Sequence, residues 1–336
     1  MKTKKINLAL QGGGSHGAFT WGVIEALLDD DRIEFDGICG TSAGAMNAVI
    51  TSYGLHMGGR EAAKELLEKF WHKVALFQSF SPVQPTVWDR VWGNFNQQFS
   101  PLSAMREFVT TLFSPYQFNP TNYNPLRDIL NEFIDFEELN KTDYRVYVCA
   151  TNVKKGRVRV FSCQEVTCDA VVASACLPYL FQAVEIEGEH YWDGGFMGNP
   201  PIFPLIDRTK TPDILLVQIN PININRVPKT AEEIRDRINE LSFNSVLMKE
   251  MRVIRFIDSM IEKGYTKGGK LHKIYMHHIN PDNDLQDLGV NSKLNADWQF
   301  LQKLRGIGNK LAKEWVEDHF DDIGHETTVD IQKVFL

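Results

Sequence analysis

Apolar positions fall into short runs broken by glycines and polar residues, and the runs alternate between two periods. Residues 6–10 (INLAL) have the length of a buried strand, and Gly12, Gly13, Gly14 and Gly17 follow at once. Residues 18–28 carry helical spacing through Phe19, Val23, Ala26 and Leu27. A second short strand is predicted over 35–39. The sequence GTSAG (40–44) turns it into a helix over 45–53, and 61–73 predicts a further helix. Two strand–glycine turn–helix units within the first 55 residues predict an α/β protein with a largely parallel sheet.

The same alternation resumes downstream. Strands are predicted over 144–151 and 157–162, and a helix over 168–174 that stops before Pro178. A hairpin over 185–192, turning at Gly188, delivers Asp193, Gly194 and Gly195. Residues 214–219 read as a buried strand, 273–278 as a late strand and 298–320 as a last helix. Apolar spacing over 231–263 predicts an amphipathic helix. Acidic residues mixed among its basic ones favour packing on the core over lying in a membrane interface. No linker separates halves, so one domain spans 1–336, with an α/β extension over 208–336 packed on the core.

Composition changes the picture at one place. Residues 77–125 contain only Asp89, Arg90, Arg106 and Glu107 as charges but six of the chain's 14 prolines. Thirteen aromatics fall within the 54 residues from Phe70 to Tyr123, about twice the mean density. A long, charge-poor, aromatic stretch of this kind reads as a subdomain covering the sheet, or as a cap lining an acyl-chain pocket and touching a lipid surface. The net charge of −7 excludes non-specific nucleic-acid binding. Five cysteines without a CxxC pair fit buried thiols in a reducing compartment. The first apolar run is too short for a signal peptide and no stretch is long enough to span a membrane. The expected location is therefore cytoplasmic, with export lacking a signal left open.

Three glycine-rich turns carry the candidate chemistry. GTSAG matches G-x-S-x-G and places Ser42 on a strand-to-helix turn, which pushes its hydroxyl into the open at the amino end of a helix. GGGSHG (12–17) matches G-x-G-x-x-G, the dinucleotide fingerprint, with Glu34 and Asp36 downstream as ribose acids. The carboxyl end of the second strand is occupied by Ser42 instead. That favours the other reading, in which neighbouring glycine amides form an oxyanion hole. Asp193 in DGG supplies a carboxylate for the base, and Asn199-Pro200-Pro201 fixes the exit of its turn. A Ser–His–Asp triad completed by His272, His277 or His278 is the mechanistic rival. His277-His278 lacks acidic or cysteine partners at metal-ligand spacing.

In this order QGGGSHGAF (11–19), GTSAG (40–44), ASACLPYLF (173–181) and DGG (193–195) resemble the patatin-like phospholipase family. The resemblance covers about residues 6–199. It implies a three-layer α/β/α fold and a Ser–Asp dyad hydrolysing acyl esters of lipids, as a phospholipase A, lysophospholipase or esterase. Carried over, Ser42 is the nucleophile, Asp193 its base, and Gly12, Gly13 and Gly14 the oxyanion loop. His16 and Phe181 become candidate substrate contacts, and His16 stands where the family usually has Arg or Lys. Such chemistry requires no metal or cofactor, and the partner it implies is a lipid or other acyl ester. A nucleotide-binding oxidoreductase and a catalytically silent lipid-binding protein are the alternatives.

Overall fold

The computed structural model describes residues 3–79, 113–265, 272–281 and 290–336. Strand β1 (Lys4–Leu10) feeds the glycine run and helix α1 (Gly17–Asp29), and β2 (Ile33–Thr41) feeds α2 (Ala43–Ser79). After α3 (Pro125–Phe133) come β3 (Arg145–Asn152), β4 (Arg157–Ser162) and α4 (Cys168–Ser174). The hairpin β5 (Val184–Ile186) and β6 (Glu189–Asp193) follows, then α5 (Phe203–Arg208) and β7 (Asp213–Val217). The chain continues through α6 (Ala231–Glu262), β8 (Tyr275–Ile279), α7 (Trp298–His319) and α8 (Ile331–Phe335).

The eight strands of the described residues form one sheet in the order β5-β6-β3-β2-β1-β7-β8, with β4 paired to β3. The central strands β3, β2, β1, β7 and β8 are parallel, whereas β4, β5 and β6 join in antiparallel sense. Successive side chains of a strand face opposite ways, so two cores arise from one sheet. Leu8 and Leu10 point into the larger core, against α1, α2, α4 and α7. Ala9 between them points into the smaller core, against α5, α6 and α8. The result is a three-layer α/β/α architecture around a largely parallel sheet.

Helix α1 shows why this sequence needs three layers. Only Glu25 and Asp29 escape burial on it, because the sheet covers one side and α7 the other. The crossing with α7 is closer than side chains allow. A Cβ on Gly22 would lie 1.9 Å from the Arg305 carbonyl oxygen, and one on Gly308 2.1 Å from that of Phe19. Glu25 closes the rim of the crossing by accepting from Arg305 Nε at 2.8 Å.

The helices expected over 45–53 and 61–73 are the two arms of α2, separated where Gly58 and Gly59 leave helical geometry, Gly59 at a φ of 74°. One expectation is modified. Helix α6 packs on the core only through its later turns. Leu247, Met251 and Ile254 are buried, while Ile234, Ile238 and Leu241 are 45%, 56% and 54% exposed. Periodicity reports that an apolar stripe exists but not what lies opposite each turn of it. Residues 80–112 of the aromatic stretch lie outside the described residues, and with them most of the expected cap. Among the described residues, no helix is long and apolar enough to cross a membrane.

Candidate active site

Parallel pairing brings the three glycine-rich turns to one edge of the sheet. Leu10 is opposite Gly40, Thr41 opposite Cys149, and Ala150 opposite Asp193. The carboxyl ends of β1, β2 and β3 therefore converge with the end of β6, where open α/β sheets form their ligand crevices.

Ser42 sits between β2 and α2 at a φ of 53°, a left-handed conformation for a non-glycine residue, which costs on the order of 1–3 kcal/mol. Two contacts hold it there. Its amide donates to the Ser174 hydroxyl at 2.9 Å, and its carbonyl accepts from the Met46 amide at 3.1 Å as α2 begins. Its side chain remains partly open, and its hydroxyl is near enough to the Asp193 carboxylate to pull that carboxyl's pKa down.

Asp193 is buried, only 1% exposed. Its backbone is pinned by donation to the Cys176 carbonyl at 2.8 Å and by acceptance from the Thr151 hydroxyl at 2.8 Å. One carboxylate oxygen accepts from the Gly195 amide at 2.7 Å. Burial pushes its pKa up to about 7, and the Gly195 amide and Ser42 hydroxyl hold it from rising further. A carboxyl poised near neutrality, with a serine hydroxyl against it, can accept a proton at physiological pH.

The glycine run presses on this pair. A Cβ on Gly12 would meet the Thr41 oxygen at 2.6 Å and Ser42 Cβ at 2.8 Å, so only glycine fits. The Gly12 amide is already taken, donating to Asn199 Oδ1 at 2.6 Å. The amides of Gly13 and Gly14 open the single helical turn Gly14–His16 and meet no acceptor among the described residues. Of the three glycines expected to line an oxyanion hole, two thus have donors available.

The remaining candidates take different places. The ring of His16 is buried, bonds Ser292 Oγ through Nε2 at 2.7 Å and meets Phe300 edge-on. Burial, and then the Lys293 charge, push its pKa down to about 3, so it is neutral. Phe181 is partly buried against the larger core. His277 bonds Asp213 at 3.2 Å and Thr328 at 3.0 Å, and His278 bonds Gln218 at 2.9 Å. Neither is bonded to Ser42. Among the described residues no cluster of three or more His, Cys, Asp or Glu could hold a metal ion. Glu34 and Asp36 lie in the amino-terminal half of β2. There Glu34 pairs with Lys5, and Asp36 accepts from the Thr211 amide at 3.0 Å and from Arg145. The glycine run therefore has no ribose acid at the neighbouring strand's carboxyl end.

Two supporting residues, Asn220 and Lys293, carry no motif of their own. Ser174 lies within ASACLPYLF, and Asn199 follows Asp193 by six residues on the same turn. A cavity of about 640 Å³ adjoins that turn. Trp192, Phe196, Met197, Tyr179, Pro178 and Phe113 supply its apolar walls.

No curated protein shows significant similarity to the chain. Among solved structures, VipD from Legionella pneumophila is 18% identical, at a TM-score of 0.40, over 89% of this chain and 67% of that one. ExoU, in the heterodimeric ExoU–SpcU complex of the Pseudomonas aeruginosa type III secretion system, is 16% identical at a TM-score of 0.41. That match covers 95% of this chain and 52% of the other, so the chain spans about half the length of ExoU. Residues 8–206, more than half of the chain, match the family described as Patatin-like phospholipase, and the protein is a member of the patatin-like phospholipase family of lipid acyl hydrolases.

Proposed function

We propose that the protein is a serine hydrolase that cleaves carboxylic esters of lipids through a Ser42–Asp193 dyad. One observation carries the reading. A serine on a strained strand-to-helix turn lies near a buried carboxyl whose pKa is about 7, beside two glycine amides that meet no acceptor among the described residues. Asp193 takes the Ser42 proton as Oγ attacks the ester carbonyl. The carbonyl electrons move onto oxygen, and the Gly13 and Gly14 amides stabilise the charge. Collapse of this intermediate expels the alcohol, which takes the proton from Asp193 and leaves Ser42 acylated. A water then gives its proton to Asp193 and attacks the acyl carbon. Departure of Ser42 Oγ with that proton releases the fatty acid.

The cavity lined by Trp192, Phe196 and Met197, which flank Asp193 in sequence, supports an acyl chain as the part of the substrate that is buried. Its size is within the range that holds drug-sized apolar ligands, and Trp192, Phe196 and Met197 tie its wall to the catalytic turn. Neutral His16 offers no charge to a phosphate at neutral pH, so the ester bond and the chain carry recognition.

Hydrolysis of nitrophenyl acyl esters and of a panel of phospholipids and lysophospholipids tests this reading. Ser42→Ala and Asp193→Asn are each expected to lower turnover at least a thousandfold while the fold is retained, roughly the loss when a nucleophile or base is removed. Wild-type rates in Ser42→Ala would overturn the assignment. A folded wild-type protein inert towards every ester would favour a silent lipid-binding role.

A further inference from the structure

We propose that Asn220 and Lys293, both beyond the region that matches the family, position the oxyanion peptide and polarise it. This rests on the reading of Ser42 as nucleophile and of the glycine amides as oxyanion donors.

The geometry starts from the peptide between Gly12 and Gly13. Its carbonyl oxygen accepts from Asn220 Nδ2 at 2.8 Å and from Asn199 Nδ2 at 3.3 Å. A trans peptide is planar, with its N–H opposed to its C=O. Fixing the Gly12 oxygen from behind therefore aims the Gly13 N–H the opposite way. Asn199 steadies the same loop a second time by accepting from the Gly12 amide.

Asn220 has no freedom to turn over. Its two side-chain N–H groups go to the Gly12 oxygen and, at 3.0 Å, to Gln11 Oε1. Gln11 Oε1 is itself fixed as an acceptor by the Ile219 and Asn220 amides, both at 2.8 Å. Asn220 Oδ1 faces Lys293 Nζ at 2.6 Å. Flipping the amide would set oxygen against two oxygens and nitrogen against an ammonium. Asn220 and Gln11 are fully buried, so their amides have no water as an alternative partner, whereas Lys293 is partly exposed.

The hydrogen-bond partner of the Lys293 ammonium is Asn220 Oδ1, and the carboxylates of Glu240 and Asp236 act on it only as nearby charges. Burial holds its pKa below the usual lysine value. Its backbone oxygen sits where a Cβ on Gly14 would lie, 2.2 Å away, so the segment carrying it is pressed on the glycine turn. The result is a series of hydrogen bonds in one direction, from Lys293 ammonium to Asn220 amide to Gly12–Gly13 peptide. Such chains polarise cooperatively, so the distal N–H becomes a stronger donor when negative charge develops at it. No proton is transferred along the series. Lys293 and Asn220 are positioning residues that act through the Gly13 amide.

Steady-state hydrolysis of a nitrophenyl ester, referred to active sites titrated to completion with a fluorophosphonate, tests this in the full chain. That reference removes any loss of folded protein from the comparison. Lys293→Met and Asn220→Ala are expected to lower kcat roughly tenfold to a hundredfold at unchanged KM, less than the loss of an oxyanion donor itself. Lys293→Arg should restore most of the rate. The rate constant for fluorophosphonate labelling, which also places an oxygen on the oxyanion donors, should fall in parallel with kcat. Wild-type kcat per titrated site in Lys293→Met and Asn220→Ala would overturn the proposal, as would a rise in KM at constant kcat. Ser42→Ala separates the two levels. If it stays active the nucleophile assignment fails. If it is inert while the other variants match wild type, only the positioning role fails.

Discussion

The Ser42 amide donates to the Ser174 hydroxyl at 2.9 Å, so the N–H of the proposed nucleophile is turned towards α4 and not towards the proposed oxyanion site. That bond also compensates a backbone held at positive φ. Ser174→Ala leaves the partly buried Ser42 amide without its acceptor and is expected to destabilise the protein by about 1 kcal/mol. Urea unfolding reads the stability change. Loss of kcat beyond loss of folded protein reads the looser elbow.

As the proposed base, Asp193 is expected to set the pH dependence of activity. With its pKa at about 7 in the free enzyme, kcat/KM should rise with unit slope up to about pH 7 and then level off. Stability moves the other way. The folded state holds the proton that an unfolded Asp loses near 3.8. This group therefore takes nothing from stability below about pH 4, subtracts progressively up to about pH 7, and subtracts a constant amount above that. Asp193→Asn should abolish activity yet raise Tm relative to wild type, by little at pH 4 and most at pH 8. A Tm difference that does not vary with pH would contradict a raised Asp193 pKa.

Helix α7 is expected to be as indispensable as the strands. Gly308→Ala or Gly22→Ala drives a methyl into a carbonyl oxygen of the facing helix and must spread the crossing. Each should cost at least about 1–3 kcal/mol. Thermal unfolding measures it, and Gly324→Ala is not an equivalent control because Gly324 adopts positive φ. Gly306→Ala is the suitable control, since a Cβ there meets nothing within 4 Å.

All five cysteines are free, with Cys39, Cys149 and Cys176 buried and Cys163 exposed. Burial pushes the Cys149 and Cys176 thiols up, the latter to about 12. A native titration with a chromogenic disulfide should find Cys163 fast and these three silent until unfolding. Rapid reaction of more than two thiols would contradict the packing around β2, β3 and α4.

Much of the proposed site was legible because its parts are local. Gly12 to Gly14, Ser42 and Asp193 each follow an apolar run on a turn whose glycines tolerate backbone approach that side chains do not. Sheet pairing then only had to bring the strand ends together. Asn220 and Lys293 were not legible, because neither follows a motif. Their roles arise where segments 73 residues apart meet behind the glycine loop. The taken amide of Gly12 was equally hidden, since G-x-G spacing says nothing of where Asn199 points its oxygen. The exposed half of α6 was missed for a related reason: spacing within one helix cannot report what its neighbours leave uncovered.

The central claim is that Ser42 is the acylated nucleophile. Intact-mass and peptide analysis after treatment with a fluorophosphonate tests it most directly. The account predicts a single adduct on the peptide carrying Ser42, absent from Ser42→Ala and slowed by Asp193→Asn. An adduct that persists in Ser42→Ala, or that maps to another residue, would contradict it.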